Sequence, residues 1–299
     1  MDYCWQEARN SAVRQMGWSL FSPPILSESL ETQHRSWSIP EDDEARWILK
    51  HIDDRPATLE AYLAAQSDKR LGAHFEALWR FFLDRHSFYR VLAANFQVND
   101  GTRTLGSLDF LIEDSHRNLI VHLELAVKFY LYCPNLPGPS LTQWIGPNPD
   151  DSLGAKFFHL IHHQLPLSTR VESQRALRAK GLPLPDCRIA IIKGYLFSPL
   201  TDCSPTLQPV NPGHLRGSWL SIDGCAGLDA MLPGAQWDVL DKSQWLDPQP
   251  ALALSFPELE RQLATTLQET QDPLMVQAAI DNRRHQFFVT PRMWPCEDA

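Results

Sequence analysis

The spacing of apolar residues is helical in one early stretch of the chain. In SDKRLGAHFEALWRFFLDRH, at positions 67–86, Leu71, Phe75, Leu78 and Phe82 recur every three or four residues. That spacing places them on one side of a helix, so the stretch predicts a helix that packs on a core along this stripe. The residues before it, at 1–57, contain turn-forming prolines and predict an extension made of short helices.

After this helix the pattern changes to that of β-strands. Three runs follow, which read FYRVLAANFQV, TLGSLDFLIE and NLIVHLELAVKFYLY. They are rich in branched and aromatic residues, as strands are, and short turn sequences separate them at 99–101 and 113–116. Because short turns join strands antiparallel, the three runs predict an antiparallel meander.

A second helix and a fourth strand complete the pattern. DSLGAKFFHLIHHQL predicts a helix with a polar cap at 150–152, and CRIAIIKGYLF predicts a strand that is buried on both faces. Beyond position 199 the pattern weakens into linkers and short elements. We therefore expect an α/β protein with a mixed sheet, in which a core at 58–199 carries an N-terminal extension at 1–57 and a C-terminal subdomain at 200–299.

Composition and charge narrow the class of protein. The 299 residues are 43% hydrophobic and carry a net charge of −9, which excludes a protein that coats nucleic acid by its overall charge. No apolar run is long enough for a membrane span and no secretory signal is evident, so we expect a cytoplasmic protein without membrane contact. The six cysteines are scattered without CxxC spacing, which predicts reduced thiols rather than a disulfide framework or a zinc site.

The third strand-like run carries candidate chemistry on its polar face. Alternation places Glu124 and Lys128 on the same side of that strand, and Asp109 has the matching position on the preceding strand. Two carboxylates that converge from neighbouring strands are suited to bind Mg²⁺ or Mn²⁺ together with water and a phosphate oxygen. The lysine would then orient the attacking water and offset charge on the phosphate. Simple pairing of Glu124 and Lys128 with charges on neighbouring strands is the alternative.

The two predicted helices offer further polar residues to this site. Glu76 lies beside the apolar stripe of the first helix, where an acid is costly unless it is paired or near a metal; a pair with Arg80 is the alternative. Lys156 on the second helix is a second candidate for the amine, and His163 and Gln164 are candidates for phosphate contacts. The histidines of HLIHH lack a third metal ligand, so they are expected to face solvent.

These residues and their order resemble the PD-(D/E)XK, or restriction-endonuclease-like, nuclease superfamily. HFEALW resembles its first helix, GSLDFLI its aspartate strand and HLELAVKF its (D/E)XK strand. The resemblance implies an αβββαβ core and a Mg²⁺-dependent nuclease, with Asp109 and Glu124 as metal ligands and Glu76 as the helical acid. The superfamily places its lysine two residues after the glutamate, where this chain has Ala126, so Lys128 or Lys156 must supply the amine. Without either, the fold would serve as a protein-interaction or nucleic-acid-binding module.

Longer phrases resemble a second, bacterial family, known as domain of unknown function 1853. They read GSLDFLI, HLELAVKFYL, WIGPNPDDSLGAKF and HHQLPLS, and the likeness extends over most of the chain. This resemblance implies no particular activity.

Residues that would hold a nucleic-acid substrate lie mainly after the second helix. The segment from Arg170 to Lys193 carries six basic residues against two acidic ones and is a candidate wall of a substrate groove, although a solvated basic face is the alternative. Trp144, beside a glycine in a predicted loop, is a candidate for base stacking. DNA or RNA is the expected partner of an active site, and another protein is the expected partner under the interaction-module alternative.

Overall fold

A computed structural model describes residues 3–27, 37–138, 140–201, 208–247, 249–281 and 283–295. Within these residues the chain forms two compact units, the first made of 1–127 and 156–193 and the second of 128–155 and 194–299. The domain boundaries predicted from the sequence, after 57 and after 199, stay a prediction. No helix in the described residues is both long and apolar enough to cross a bilayer.

Four helices precede the sheet of the first unit. They are α1 (Ser11–Phe21), α2 (Asp43–Asp54), α3 (Ala57–Ala64) and α4 (Leu71–Leu83). α4 is the helix that the apolar stripe predicts; Phe75, Leu78 and Phe82 of the stripe are fully buried, and Leu71 at its start is half-buried. α1 and α2 are full helices rather than the short ones expected, and each begins at a polar cap: the Asn10 carboxamide oxygen accepts from Ala12 N–H, and the Asp42 carboxylate accepts from Ala45 N–H.

The predicted meander is confirmed. β1 (Tyr89–Asn99), β2 (Thr104–Asp114) and β3 (Leu119–Tyr132) pair antiparallel in chain order. β5 (Cys187–Pro199) follows β3 in the strand order, and the Asp186 carboxylate accepts from Ile120 N–H at 2.7 Å where these two strands begin. The first unit thus holds the strand order β1-β2-β3-β5, and β3 and β5 each continue into the second unit.

The predicted second helix is a run of three different helical segments. It consists of α5 (Leu153–His159), a π-helical segment (Leu160–Gln164) and α6 (Leu165–Leu167), and α7 (Val171–Ala179) follows. Leu167 of α6 and Leu177 of α7 are buried against β1 and β2, where they join a cluster with Val98, Leu108 and Leu111. Because α6 directly follows the π-helical segment, this packing holds the end of that segment against the first unit's sheet.

The second unit contains parallel and antiparallel strands. Its elements are β4 (Trp144–Ile145), β6 (Leu215–Ser221), α8 (Gly227–Met231), β7 (Gln236–Leu240), α9 (Phe256–Thr270), β8 (Leu274–Ile280) and β9 (Arg283–Thr290). β6 is parallel to β5 and β9, whereas β9-β8 and β8-β7 pair antiparallel. α9 buries Leu259 and Leu263 in the core of this unit around Trp237. The mixed sheet and the α/β class are therefore confirmed.

The cysteines agree with the predicted thiols as far as the structure describes them. Cys4, Cys133, Cys187 and Cys225 form no disulfide. The remaining two, Cys203 and Cys296, lie outside the described residues.

Candidate active site

Asp109 and Glu124 lie on adjacent strands and each reaches across to the backbone of the other strand. Asp109 Oδ2 accepts from Leu125 N–H at 3.0 Å, and Glu124 Oε1 accepts from Asp109 N–H at 3.3 Å. The antiparallel register of β2 and β3 places Phe110 opposite Leu123, which brings the two acids together. The predicted convergence of these two carboxylates is what the structure shows.

Glu124 is buried and held by side chains as well. It is 1% exposed, and its Oε1 also receives a hydrogen bond of 2.7 Å from Nε2 of His122, two residues earlier on β3. The Ser168 hydroxyl lies 3.0 Å from His122 Nδ1, so the tautomer with a proton on Nε2 satisfies both contacts. Gln164 donates to the other oxygen, Oε2, at 2.6 Å. A buried carboxylate needs such donors, because desolvation otherwise disfavours its charge.

Glu76 joins the two strand acids from α4. Burial and the charge of Glu124 raise the pKa of Glu76, although a hydrogen bond from Asn95 acts in the opposite direction. The predicted alternative, a pair with Arg80, is not what the structure shows, because Arg80 donates to Asp84 at 2.7 Å. Glu76, Asp109 and Glu124, hereafter the carboxylate cluster, thus influence one another electrostatically.

The backbone of Asn95 is specialised at this point. Asn95 has a φ of 50°, in the left-handed region that asparagine tolerates better than most residues. It stands between Ala94, paired with Phe110, and Phe96, paired with Leu108, and is therefore across from Asp109. Unusual backbone of this kind concentrates at functional sites, and here it serves the amide that hydrogen-bonds Glu76.

The cluster makes Asp109 an unusually weak acid. Burial raises the pKa of Asp109 to about 7, and the negative charges of Glu124 and Glu76 act in the same direction. The hydrogen bond from Leu125 and the positive charge of Lys156 only partly offset this rise. Perturbed carboxylates of this kind are typical of sites that bind a cation or transfer protons.

The structure separates the two candidate lysines. Lys156 Nζ donates to Gln164 Oε1 at 2.7 Å, so a single glutamine connects this ammonium to Glu124. Lys128 instead forms an ion pair of 2.5 Å with Asp151, which also accepts from the Tyr130 hydroxyl at 3.4 Å. Lys156 is therefore the lysine whose charge acts on Asp109.

The π-helical segment explains how Gln164 reaches this position. A π turn adds one residue to the α-helical turn, and such turns are frequent at functional sites. His159, the residue just before this segment, has its Nδ1 3.3 Å from Oε1 of Gln164, the last residue of the segment. The widened turn lets the Gln164 amide meet both Lys156 and Glu124.

The other predicted substrate-binding residues differ in their exposure to solvent. Trp144 is only 2% exposed, forms part of β4 and packs on Tyr132 at 5.2 Å between ring centroids, so the predicted exposed stacking position is wrong. The reason is that Trp144 pairs with Tyr132 as a strand, which a proline-rich loop sequence did not indicate. His163 and Arg170 are exposed, and the expected solvent-facing histidines are confirmed for His159 and His162 as well.

A cleft of about 800 Å³ opens beside Glu76. Its lining includes Arg70, Arg80, Asn95 and Phe110, the residue that follows Asp109 on β2. The two arginines form ion pairs there with Asp68 and Asp84. A volume of this size accommodates a ligand the size of a nucleotide, and Glu76 is the member of the cluster that lines it.

The residues of the cluster fit a hard divalent cation that retains water. Within the described residues, no three His, Cys, Asp or Glu side chains are spaced as a preformed metal cage. Mg²⁺ does not require one, since it is commonly bound by one or two carboxylates together with water and substrate phosphate. The donors are oxygen atoms, and a cation would offset the charges of Glu124 and Glu76, which add to the effect of burial in raising the Asp109 pKa. Asp109 and Glu124 would hold such an ion.

Sequence reasoning missed His122 and Ser168. His122 is two residues before Glu124 and therefore on the same face of β3, so strand alternation contained the signal. Ser168 carries no such signal, because its position depends on how α6 packs against β2. Both side chains are buried, at 0% and 2% exposure.

Fold and site together define an α/β protein with a partly buried carboxylate cluster to which a helical run contributes a lysine and a glutamine. A family model for a domain of unknown function, DUF1853, matches residues 14–290. The chain therefore belongs to the DUF1853 family, as its longer phrases predict. Searches of curated proteins and of solved structures each found no match.

Proposed function

We propose that this protein is a Mg²⁺- or Mn²⁺-dependent phosphodiesterase that hydrolyses nucleic acid. The observation that carries the proposal is the carboxylate cluster, in which acids from α4, β2 and β3 share one electrostatic environment with Lys156. Ion pairing on a half-exposed sheet does not account for it, because Glu124 is buried and its partners are His122, Gln164 and a backbone amide.

The residues have separate roles in this proposal. A bound Mg²⁺ would supply Lewis-acid stabilisation of the charge that develops on the phosphate. Asp109 and Glu124 would provide its carboxylate ligands, and Glu76 would add negative charge beside them. His122 fixes one oxygen of Glu124, so that the carboxylate keeps its orientation while substrate binds.

Lys156 is the amine of the proposed reaction. Its ammonium donates to Gln164 and its charge acts on Asp109, which supports a role in which it would orient the attacking water and offset phosphate charge. The Lys128 ammonium is already bound by Asp151. An amine supplied from the helix instead of the strand would account for Ala126 at the position where the resembled superfamily has lysine.

Hydrolysis of labelled single- and double-stranded oligonucleotides, with Mg²⁺ and with EDTA, tests the proposal on wild type, Lys156→Met and Lys128→Met. We expect metal-dependent cleavage by the wild type and a loss of about 100-fold in kcat for Lys156→Met, the usual scale for removal of a positioned proton-transfer or charge-stabilising group. Lys128→Met should lose less. A larger loss in Lys128→Met would assign the amine to Lys128, and cleavage that persists unchanged in EDTA would contradict the proposal.

A further inference from the structure

The helical run that supplies Lys156 and Gln164 also carries an exposed aromatic surface. Phe158 is 57% exposed, and its ring centroid lies 4.4 Å from that of His162 and 6.1 Å from that of His163. His159 stacks on His163 at 5.3 Å. These four side chains, Phe158, His159, His162 and His163, are called the histidine face.

The charge around the histidine face suits a polyanion. Between Leu153 and Arg170 the sequence contains no aspartate or glutamate, although the whole chain carries a net charge of −9. The same stretch carries Lys156, Arg170 and the three histidines of the face, whose ring nitrogens offer hydrogen-bond donors. Positive groups and donors interleaved with an aromatic ring are the combination that binds a nucleic-acid strand through its phosphates and bases.

The histidine face is connected to the carboxylate cluster. His159 Nδ1 lies 3.3 Å from Gln164 Oε1, and the amide nitrogen of Gln164 donates to Glu124 at 2.6 Å. Two contacts therefore link the exposed face to the buried acid. The residue that holds Lys156 and Glu124 is therefore also in contact with the face.

From these observations we propose that the histidine face binds an unpaired strand of nucleic acid, with one base stacked on Phe158. The strand is unpaired because the faces of bases in a duplex are covered by their neighbours, whereas a single strand leaves them open to an aromatic ring. This inference rests on the proposed function and specifies its substrate: single-stranded DNA or RNA, or a frayed end.

Fluorescence anisotropy with a labelled oligothymidylate of about 12 nucleotides, a length within the usual range of single-strand sites, tests this inference. All variants carry Asp109→Asn, so that hydrolysis does not alter the probe. Phe158→Ser removes the stacking ring and should weaken binding about 5- to 100-fold relative to the parent. Phe158→Tyr keeps an aromatic ring and should bind about as tightly as the parent. Phe88→Ser is the matched control: Phe88 is also exposed, at 40%, and also contacts a histidine ring, that of His116 at 5.0 Å.

Each outcome has a distinct meaning. Weaker binding in Phe158→Ser but not in Phe88→Ser supports the histidine face, whether or not the enzyme with Asp109 restored cleaves the probe. Equal binding by Phe158→Ser and its parent overturns the inference, and so does tighter binding of the parent to a duplex of the same length. If the wild type cleaves the probe and Phe158→Ser binds it as tightly as its parent does, the histidine face is not the strand-binding surface. The proposed function would still hold in that case.

Discussion

Replacing Asp109 by asparagine should lower the rate of phosphodiester hydrolysis by about 100- to 10,000-fold. The expected size follows from several kcal/mol of transition-state stabilisation by the metal, at about 1.4 kcal/mol for each tenfold change in rate. Asparagine keeps the acceptor for Leu125 N–H but removes the negative charge that the cation requires. The measurement is kcat for cleavage of a labelled oligonucleotide at saturating Mg²⁺.

Glu113→Gln is the control for this substitution. Glu113 lies on the same strand, four residues after Asp109, and its carboxylate forms a surface ion pair of 2.6 Å with Arg90. Surface pairs of this kind contribute little, so Glu113→Gln should fold and act as the wild type does. Full activity in Asp109→Asn would show that the Asp109 carboxylate is not required for hydrolysis.

The same Asp109→Asn substitution should stabilise the fold at alkaline pH. Because the folded-state pKa of Asp109 is raised from 3.8 to about 7, the folded protein binds a proton more tightly than the unfolded chain does. The free energy of unfolding therefore falls as the pH rises from about 4 to about 7, and the full cost is present above pH 7. Asparagine does not ionise. We therefore expect the free energy of unfolding of Asp109→Asn to exceed that of the wild type by about 1 to 4 kcal/mol at pH 8.

Urea unfolding at pH 5 and pH 8, with EDTA present, measures this difference. The advantage of Asp109→Asn should be large at pH 8 and smaller at pH 5, where much of the wild-type Asp109 is protonated. The control Glu113→Gln should show no comparable pH-dependent gain. A wild type that is more stable than Asp109→Asn at pH 8 would mean that the Asp109 carboxylate stabilises the fold as an ordinary paired acid.

A loss of stability caused by clustered acidic side chains is typical of functional sites. Three acids brought together in a partly buried place oppose folding, and a protein retains such an arrangement where a ligand requires it. The hydrogen bonds of Glu124 and the left-handed Asn95 support the same interpretation, because they hold the acids in position rather than neutralise them. In the proposed function, a bound cation would supply the missing positive charge.

Local pattern was sufficient to predict most of the first unit. The stripe of α4 and the alternation in β2 and β3 depend only on neighbouring residues, so the sequence indicates them directly. The same alternation placed Asp109 and Glu124 side by side. α1 and α2 are longer than expected because the prolines at 23, 24 and 40 lie outside both helices and interrupt neither, and because Asn10 and Asp42 cap their first turns.

The parts of the site that the sequence did not reveal depend on packing between distant elements. Alternation indicated a polar face on β3 but not its burial, which leaves His122 at 0% exposure and Glu124 at 1%. The choice between Lys128 and Lys156 depended on a π turn and on a pair with Asp151, neither of which periodicity encodes. For Trp144 the sequence predicted a loop residue available for stacking, but a short strand pairing with Tyr132 buries it.

Calorimetric titration of Mn²⁺ and Mg²⁺ into the wild type and into Asp109→Asn/Glu124→Gln tests whether the carboxylate cluster binds a metal ion. We expect binding by the wild type at metal concentrations up to the order of a millimolar, and none by the double variant, which circular dichroism should show to be folded. Binding of equal affinity in the folded double variant, or no binding by the wild type, would contradict a metal site at the carboxylate cluster.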